Sequence, residues 1–298
     1  MGSQSSPQTE NFLCPSEAEP GMDTKENKEV AAVEFRLLLE GMYQVYGWDF
    51  RDYAQASLKR RIWKCIREEH LSSVSRYQER ILHDPACMQR FLLAVSVDTT
   101  EMFRDPRFYV AFRKKVGELL RPLPSVRLWH LGCATGEEVY SMAILLEEEG
   151  LYEKSRLYAT DMNEALLAKA REGIFPMKAM QGYTDNYLKA GGKRAFSEYY
   201  TARYEHALFR PALQKHIVWA QHNLVTDGSF NEFQVILCRN VLIYFDRPLH
   251  DRIHSLLYES LAPEGILGLG SKESLMFTPH AQSYEVLDER ARLYRRVK

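Results

Sequence analysis

The sequence has no excess of charge of either sign, since 39 Lys and Arg face 40 Asp and Glu among 298 residues. This balance gives no argument for binding nucleic acid or an anionic membrane, so electrostatic recognition must be local. The sequence also lacks an apolar run near the roughly 20 residues of a membrane span and the basic-then-apolar pattern of a secretory signal. We therefore expect a soluble protein with no nucleic-acid partner and no membrane insertion.

Cysteine is scarce, odd in number and scattered along the chain. The positions are Cys14, Cys65, Cys87, Cys133 and Cys238. They show neither CxxC spacing nor the Cys/His intervals that are typical of zinc sites. The sequence therefore predicts no disulfide framework and no metal centre, and a reducing, cytoplasmic location fits best.

The composition changes along the chain and predicts its organisation. Residues 1–28 are rich in Ser, Gln, Glu, Pro and Asn and poor in large apolar residues, which predicts a disordered tail. Residues 29–95 carry apolar residues at helical spacing, which predicts a small all-helical domain. Within residues 96–298, strands and helices alternate from Val126 onward. This pattern indicates an α/β fold with a parallel sheet and helices on both of its faces.

Two stretches interrupt the alternation. Residues from about 176 to 215 contain Gly191-Gly192, clustered tyrosines and the break Arg210-Pro211, which together predict a small antiparallel β insertion. The C-terminal segment from Leu256 to Tyr294 predicts a closing hairpin. The expected architecture is therefore a helical N-terminal domain followed by an α/β domain with an inserted antiparallel subdomain.

A glycine-bearing turn follows the first predicted strand. Gly132 and Gly136 let the backbone turn tightly and approach a ligand, and the following helix start offers free N–H groups. Alone, such a turn is often only a strand-to-helix connection. Asp161 ends the next predicted strand, where a carboxylate would bind a ribose diol through two hydrogen bonds. Its alternative role is the N-cap of the helix that follows.

A third predicted strand begins at Phe233 and opens into Arg239 and Asn240, before a second apolar run that carries Tyr244. Ligands of open α/β sheets lie outside the carboxyl ends of the strands. The three strand ends therefore outline a nucleotide-type cofactor site.

The charge near the turn bears on which cofactor this is. A nicotinamide nucleotide is one candidate, but the full Gly-x-Gly-x-x-Gly pattern is absent because Ala134 holds the middle position. The acidic pair Glu137 and Glu138 suits a cofactor with sulfonium and ammonium charges better than a pyrophosphate. The sign of the charge therefore favours S-adenosylmethionine.

The segment Ser96–Pro106 concentrates hydroxyls, carboxylates and Arg104 between the two predicted domains. Taken alone, it is an interdomain linker in which Asp98 and Thr100 cap helices. A functional role for it follows only from the comparison of the whole chain with a known family.

Five motifs stand in order between about residue 33 and the end of the chain. They are Thr100-Glu-Met-Phe-Arg104, Gly132-Cys-Ala-Thr-Gly-Glu-Glu138, Ala159-Thr-Asp-Met-Asn163, His222-Asn-Leu224 and Cys238-Arg-Asn-Val-Leu-Ile-Tyr-Phe245. In this order and at these intervals they resemble the chemotaxis receptor methyltransferases of the CheR type. The resemblance implies a Rossmann-like sheet and an S-adenosylmethionine-dependent protein-glutamate O-methyltransferase. Such an enzyme forms methyl esters on receptor glutamates in chemosensory adaptation and releases S-adenosylhomocysteine.

The resemblance also implies site residues. Arg104 and Tyr244 would face the transferred methyl group. The cofactor-lining positions would be Asp98, Thr100, Arg104, Glu138, Asp161, Asn223, Leu224, Arg239 and Asn240, to which the turn adds Gly132 and Gly136. Three positions depart from the family pattern, namely Asp98 for Asn, Ala134 for Ser and Val139 for Pro. We expect binding to survive, because an Asp98 carboxylate still accepts from the cofactor ammonium.

The implied chemistry needs no strong general base, since a glutamate of ordinary pKa about 4.3 is ionised at neutral pH. The enzyme must desolvate and align that carboxylate. Arg104 would orient it, and Tyr244 would shape the methyl-transfer position. We therefore expect the histidines near these motifs to be structural or exposed: His130, His206, His216 and His222.

A predicted helix over Leu58–Arg67 carries a basic side, formed by Lys59, Arg60, Lys64 and Arg67. In general such a side is a solvated face. The resemblance implies that it docks an acidic receptor helix. The predicted hairpin Tyr199–Arg210 looks shorter than in family members that bind a C-terminal receptor peptide, so we expect no dependence on such a tether.

Three other functions are compatible with the sequence. One is a methyltransferase of the same fold that acts on a small molecule or another protein. The second is a non-catalytic adaptor of a signalling array that binds S-adenosylmethionine without turnover. The third is a nicotinamide oxidoreductase, which thermal stabilisation by NADH rather than S-adenosylhomocysteine would reveal.

Overall fold

The computed structural model describes residues 25–96 and 100–298, so the predicted tail over residues 1–24 and the predicted site residue Asp98 lie outside the described residues. The helices are α1 (Lys25–Tyr46), α2 (Gln55–Glu68), α3 (Val74–His83), α4 (Pro85–Val95), α5 (Pro106–Ala111), α6 (Gly117–Leu120), α7 (Glu137–Glu148), α8 (Glu164–Glu172), α9 (Met180–Lys189) and α10 (Arg247–Ser260). Residues 25–28 thus form the first turn of α1, where the sequence predicted the end of the tail.

The strands belong to two sheets, one large and one small. They are β1 (Val126–Leu131), β2 (Ser155–Asp161), β3 (Ile174–Pro176), β4 (Tyr200–Arg203), β5 (His206–Phe209), β6 (Ile217–Gln221), β7 (Phe233–Cys238), β8 (Leu261–Leu269), β9 (Tyr284–Asp288) and β10 (Leu293–Arg296).

The N-terminal helices start and stop where short-range signals place them. The Ser73 side chain accepts from the backbone N–H of Arg76 at the start of α3. Asp84 accepts from the N–H of Ala86, and Pro85 occupies the first turn of α4, a position that proline favours because its missing N–H has no partner there in any helix. The predicted all-helical N-terminal region is confirmed.

The large sheet has the order β6-β2-β1-β7-β8-β10-β9. The strands from β6 to β8 pair in parallel, whereas β10 pairs antiparallel with both β8 and β9. The predicted α/β fold and its closing hairpin are therefore present. The strand order reverses beside β1, because β2 lies on one side of it and β7 on the other. Such a reversal opens a crevice at the carboxyl ends of the strands.

The N-terminal helices pack on the sheet and share a core with it. Phe50 and Phe91 of the helical part meet edge to face with centroids 5.3 Å apart. They belong to the same buried apolar cluster as Trp129 of β1 and Ile236 of β7. This packing brings α2 and the end of α4 to the carboxyl edge of the sheet, where the candidate site lies.

The small sheet is the predicted antiparallel insertion, with the strand order β3-β5-β4. Strands β4 and β5 form a tight hairpin whose tip residue Tyr204 is fully exposed. The limits proposed from the sequence for the insertion and for the two domains stay predictions. Among the described helices, none is both long and apolar enough to cross a membrane.

Candidate active site

Two neighbouring cavities lie at the carboxyl ends of β1, β2 and β7. The larger cavity encloses about 830 Å³ and the smaller cavity about 490 Å³, each including its opening to solvent. Both are lined by Gly132, Ala134, Asn240 and Tyr244. The three strand ends singled out by the sequence therefore meet around one continuous crevice.

The turn after β1 has a backbone that needs small residues. Gly132 has a φ of +63°, and a Cβ built on it would lie 2.8 Å from Cγ2 of Val241. Ala134 also adopts a positive φ of +48°, a conformation that non-glycine residues reach only when their surroundings hold it. Here its backbone N–H donates to Oδ2 of Asp161 at 2.9 Å. This hydrogen bond therefore holds the turn at Ala134 in its left-handed conformation.

Gly136 lies at the N-cap of α7 with a φ of +94° and is not among the residues that line the two cavities. A Cβ on it would lie 3.1 Å from Ala170 and 3.2 Å from Trp219. Its immediate role is close packing against α8 and β6. Its predicted contact with the cofactor stays a prediction.

Asp161 ends β2 and lines the larger cavity together with Asn223 and Leu224. Its Oδ1 accepts from the backbone N–H of Asn163 at 2.9 Å. The N-cap of α8 is Asn163. The alternative role considered for Asp161, that of helix N-cap, is therefore filled by Asn163. Burial raises the pKa of Asp161, although hydrogen bonds from the backbone N–H groups of Asn163, Ala134 and Met162 act against that rise. The result is a buried acidic group at the edge of the cavity.

Glu138 and Arg239 form an ion pair beside the smaller cavity, with side chains 18% and 2% exposed. Arg239 donates from Nη1 to Oε2 of Glu138 at 2.9 Å, and from Nη2 to the Arg104 carbonyl and to Oδ2 of Asp105 at 3.0 and 3.1 Å. Its guanidinium also lies 4.1 Å from the ring centroid of Phe108. The predicted cofactor residue Arg239 therefore ties the turn at residues 104–105 to the start of α7.

His130 supports the same pair from β1. Its Nδ1 lies 3.0 Å from Oε1 of Glu138, and its side chain is fully buried. Burial alone would raise the pKa of Glu138, but the hydrogen bond to His130 and the charge of Arg239 outweigh it, so the pKa is lowered. Glu138 therefore stays ionised at neutral pH.

Thr100 and Arg104 also line the smaller cavity. Thr100 caps none of the described helices, because the helix that follows it, α5, has Asp105 at its N-cap. Thr100 therefore lines a cavity and caps no described helix, which argues against its predicted role as a helix cap within an interdomain linker. The other half of that interpretation concerns Asp98, which lies outside the described residues.

Tyr244 lies where the two cavities meet, close to two arginines. The Arg61 guanidinium is 5.6 Å from its ring centroid. Burial raises the pKa of Tyr244, while the charges of Arg61 and Arg104 act in the opposite direction. Tyr244 therefore shares the larger cavity with Arg61 and the smaller cavity with Arg104.

The N-terminal segment also fixes Tyr244 through the backbone. The N–H of Ala54 donates to the Tyr244 carbonyl at 2.9 Å, and the N–H of Asp246 donates to the Asp52 carbonyl at 3.0 Å. Between them, Tyr53 and Phe245 form an isolated antiparallel bridge. The helical region is thus part of the site.

Sequence reasoning missed Tyr53, Arg61 and Glu273. Arg61 lies within the basic segment, but it donates to the carbonyls of Ala94 and Val95 and lines the larger cavity. Its helical angle, about 100° from that of Arg60 and about 120° from that of Arg67, was the available signal. Glu273 follows β8, the strand next to β7. The search for polar residues after a strand, which found Arg239 after β7, would have found Glu273 if it had been applied to β8.

The residues of the crevice fit a cationic cofactor. Asp161 and Glu138 place carboxylates at the two cavities, and the glycine at 132 allows close approach to the backbone. Within residues 25–96 and 100–298, no group of His, Cys, Asp and Glu is suited to a metal ion. Fold and site together define a Rossmann-like S-adenosylmethionine-dependent methyltransferase.

Comparison with known proteins gives the family. Residues 98–291 match the family model described as CheR methyltransferase, SAM binding domain, and residues 33–96 match CheR methyltransferase, all-alpha domain. The chain belongs to the CheR methyltransferase family, so the resemblance inferred from the five motifs is confirmed. S-adenosylmethionine is the cofactor, and the nicotinamide alternative is wrong.

Individual relatives agree with this assignment. Methyltransferase Cher3 of Pseudomonas putida is 47% identical, over 89% of this chain and 97% of that protein. The chemotaxis protein methyltransferase of Salmonella typhimurium is 27% identical, over 80% of this chain and 83% of that protein. Chemotaxis protein methyltransferase 2 of Pseudomonas aeruginosa is 27% identical, over 83% and 88%.

Proposed function

We propose that the protein methylates glutamate side chains of chemoreceptors and forms glutamate methyl esters in chemosensory adaptation. The observation that carries this proposal is that Tyr244 shares the larger cavity with Arg61 and the smaller cavity with Arg104. Two cations beside the transfer position favour an anionic substrate over an amine or a neutral hydroxyl. The names of relatives, such as the chemotaxis protein methyltransferase of Salmonella typhimurium, support the choice of substrate.

S-adenosylmethionine supplies the methyl group as a sulfonium that reacts with a nucleophile. An ionised glutamate oxygen forms the new C–O bond as the methyl–sulfur bond breaks and its electron pair stays on sulfur, so no proton has to be removed. We assign to Arg104 the orientation of the incoming carboxylate and to Tyr244 the shape of the transfer position. The ion pair between Glu138 and the buried Arg239 keeps the smaller cavity preorganised.

The experiment that tests this assignment uses tritiated methyl-S-adenosylmethionine and the cytoplasmic fragment of a receptor from the same organism. Glutamate methyl esters release volatile methanol in mild base, whereas methylated amines do not. We expect base-labile label with the wild type, and a loss of at least about tenfold in turnover for Arg104→Ala and Tyr244→Phe. The matched control is Arg107→Ala, an exposed arginine three residues on that lines neither of the two site cavities.

Two results would contradict the proposal. Base-stable label would mean a different acceptor atom, which is the alternative of a same-fold methyltransferase on another substrate. Binding of S-adenosylhomocysteine without transfer to any receptor fragment of that organism would instead favour the non-catalytic adaptor.

We further propose that the basic face of α2 docks an acidic receptor helix. Arg60, Lys64 and Arg67 are exposed, whereas Lys59 is half-buried with its Nζ 5.5 Å from the Phe35 ring centroid. Lys64 makes only an exposed pair with Glu68, at 3.6 Å, which contributes little energy. Three of the four predicted cations are therefore available to a partner.

Charge reversal tests the docking proposal. Arg60→Glu combined with Lys64→Glu is expected to raise KM for the receptor at low salt and to leave S-adenosylhomocysteine affinity unchanged. Lys169→Glu on α8 is the matched control, since Lys169 is also exposed. Unchanged KM in the double variant would rule out this surface.

We also propose that the protein acts in the cytoplasm and does not need to bind a C-terminal receptor peptide as a tether. The β4–β5 hairpin spans only Tyr200–Phe209, which supports the absence of a peptide-binding extension. Calorimetry with a C-terminal receptor peptide checks this, and binding at micromolar concentration would overturn it.

A further inference from the structure

Glu273 is a buried carboxylate that the proposed chemistry does not use. The residue is 4% exposed and follows β8. Its Oε2 accepts from the backbone N–H groups of Gly270 and Asn240 at 2.6 and 2.9 Å. Its Oε1 accepts from those of Val241 and Leu242 at 2.8 Å each. One side chain therefore joins the end of β8 to the loop that follows β7.

The three donors after β7 form a concave group of backbone N–H. Asn240 has a φ of +62°, and Val241 has a φ of −109° and a ψ of −46°. Successive residues in left-handed and then right-handed helical conformation turn their N–H groups toward one point, which is an anion-binding arrangement. In this protein the anion is the Glu273 carboxylate, so the left-handed Asn240 is held by a charged partner.

This loop carries the part of the crevice that both cavities share. Asn240 lines the larger and the smaller cavity, and the short helical turn Leu242–Tyr244 begins at the last of the Glu273 donors. The position of the Tyr244 ring therefore depends on where Glu273 holds residues 240–242.

Gly270 packs so closely against Asn240 and Glu273 that there is no space for a side chain at residue 270. A Cβ built on Gly270 would lie 2.7 Å from the backbone nitrogen of Asn240 and 2.7 Å from Oε2 of Glu273. Real Cβ atoms do not approach backbone atoms so closely, so a side chain at residue 270 would push the loop away from the carboxylate.

We propose that Glu273 is a positioning residue of the methyl-transfer site, whose carboxylate fixes the loop Asn240–Tyr244 in the geometry that binds the cofactor. The inference concerns the S-adenosylmethionine site and holds whichever protein is methylated. Its test therefore uses S-adenosylhomocysteine and no receptor, so its failure is distinguishable from failure of the proposed substrate.

The first test is Glu273→Gln, measured by calorimetry with S-adenosylhomocysteine. A glutamine keeps the size of the side chain but turns an NH₂ group toward one pair of N–H donors, which cannot bond to it. We expect at least tenfold weaker binding. Leu275→Ala is the matched control, because Leu275 is buried in the same segment and its loss leaves the carboxylate in place. It is expected to lower stability and to change affinity less than twofold.

Hydrogen exchange separates positioning from a general loss of stability. In Glu273→Gln the amides of residues 240–242 are expected to exchange at least tenfold faster, while those of Val235 and Ile236 in β7 keep their wild-type protection. Leu275→Ala is expected to leave residues 240–242 protected relative to β7. Equal losses of affinity and protection in both variants would overturn the proposal.

A second variant keeps the test decisive if Glu273→Gln does not fold. Gly270→Ala disturbs the same contact from the other side, and Gly228→Ala is its control, since a Cβ at residue 228 meets nothing within 4 Å. We expect Gly270→Ala alone to weaken S-adenosylhomocysteine binding by at least tenfold. Wild-type affinity in Gly270→Ala would overturn the assignment.

Discussion

Arg239 Nη1 lies 2.9 Å from Oε2 of Glu138, and the arginine side chain is only 2% exposed. This pair joins the strand β7 to the first turn of α7, and the same guanidinium also binds Asp105. A single cation thus connects three chain segments that are far apart in sequence. The wall of the smaller cavity therefore depends on the Arg239 guanidinium. This group is buried and already bound to Glu138 and Asp105, so it has little capacity left to bind a ligand.

Removal of that charge is expected to be costly. Arg239→Met leaves Glu138, whose side chain is 18% exposed, without its cation, and breaking a buried pair from one side costs up to about 3–5 kcal/mol. Arg239→Lys is expected to restore only part of the stability, because a single ammonium cannot reproduce the forked contacts to Glu138 and Asp105. Urea unfolding followed by circular dichroism measures both.

The control for this prediction is an exposed pair. Arg171 binds Glu164 at 2.6 Å with side chains 41% and 53% exposed. Arg171→Met is expected to change the free energy of unfolding by at most about 1 kcal/mol. Equal stabilities of the Arg239→Met and Arg171→Met variants would refute the structural role of the buried pair.

Asp161→Asn is expected to weaken S-adenosylhomocysteine binding by at least about tenfold, which corresponds to about 1.4 kcal/mol. The amide replaces one acceptor oxygen that binds Ala134 or Asn163 in the wild type, and it removes the negative charge at the larger cavity. Calorimetric titration measures the affinity. Asp185→Asn on α9 is the control, as Asp185 is exposed, and equal affinities of the two variants would argue against the predicted role of Asp161.

Gly132→Ala is expected to destabilise the fold and weaken cofactor binding. The left-handed conformation costs an alanine about 1–2 kcal/mol, and the approach of 2.8 Å to Val241 adds a steric cost of about 1–3 kcal/mol. Gly150→Ala separates these contributions, because Gly150 has a φ of +68° with nothing within 4 Å of its added Cβ. Thermal unfolding and S-adenosylhomocysteine titration of both variants test the difference, and equal losses would show that the contact with Val241 is unimportant.

Glu148 is expected to make stability depend on acid pH. Its side chain is fully buried, binds Arg113, and accepts from the hydroxyls of Tyr187 and Tyr199 and from the N–H of Lys193. Burial alone would raise its pKa, but these partners outweigh burial and the pKa is lowered. A lowered pKa contributes stability that is present above the unfolded value of about 4.3 and lost as pH falls through the folded value.

Urea unfolding between about pH 6 and 3 checks this contribution. Glu148→Gln is expected to be less stable than the wild type at neutral pH and to lose less stability on acidification. Glu153→Gln is the control, because the Glu153 side chain is 77% exposed in its pairs with Lys215 and His216. An unchanged acid slope in Glu148→Gln would show that other carboxylates determine the acid stability.

Much of the site followed from periodicity and strand-end chemistry. The runs that became β1, β2 and β7 are apolar and end in Gly132, Asp161 and Arg239, and parallel strands bring their carboxyl ends to one edge. Helical periodicity also predicted the helical N-terminal region, which the structure forms with α1 to α4. The five ordered motifs added the family and its cofactor, and three of them fall at the ends of β1, β2 and β7.

The sequence by itself determined the alternating α/β pattern, the helical N-terminal region and the strand-end residues, because these depend on periods of two or 3.6 residues and on local turn chemistry. Only the tertiary structure decided that Arg61 lies beside Tyr244, that Arg239 binds Glu138, and that Glu273 binds the loop after β7. The residues in those contacts are 33 to 183 positions apart in the chain. The contact of Glu273 is also made to backbone N–H groups, which every residue except proline has, so no residue type in the sequence indicates it. Their formation depends on how the helical region and the strands pack, which no local pattern encodes.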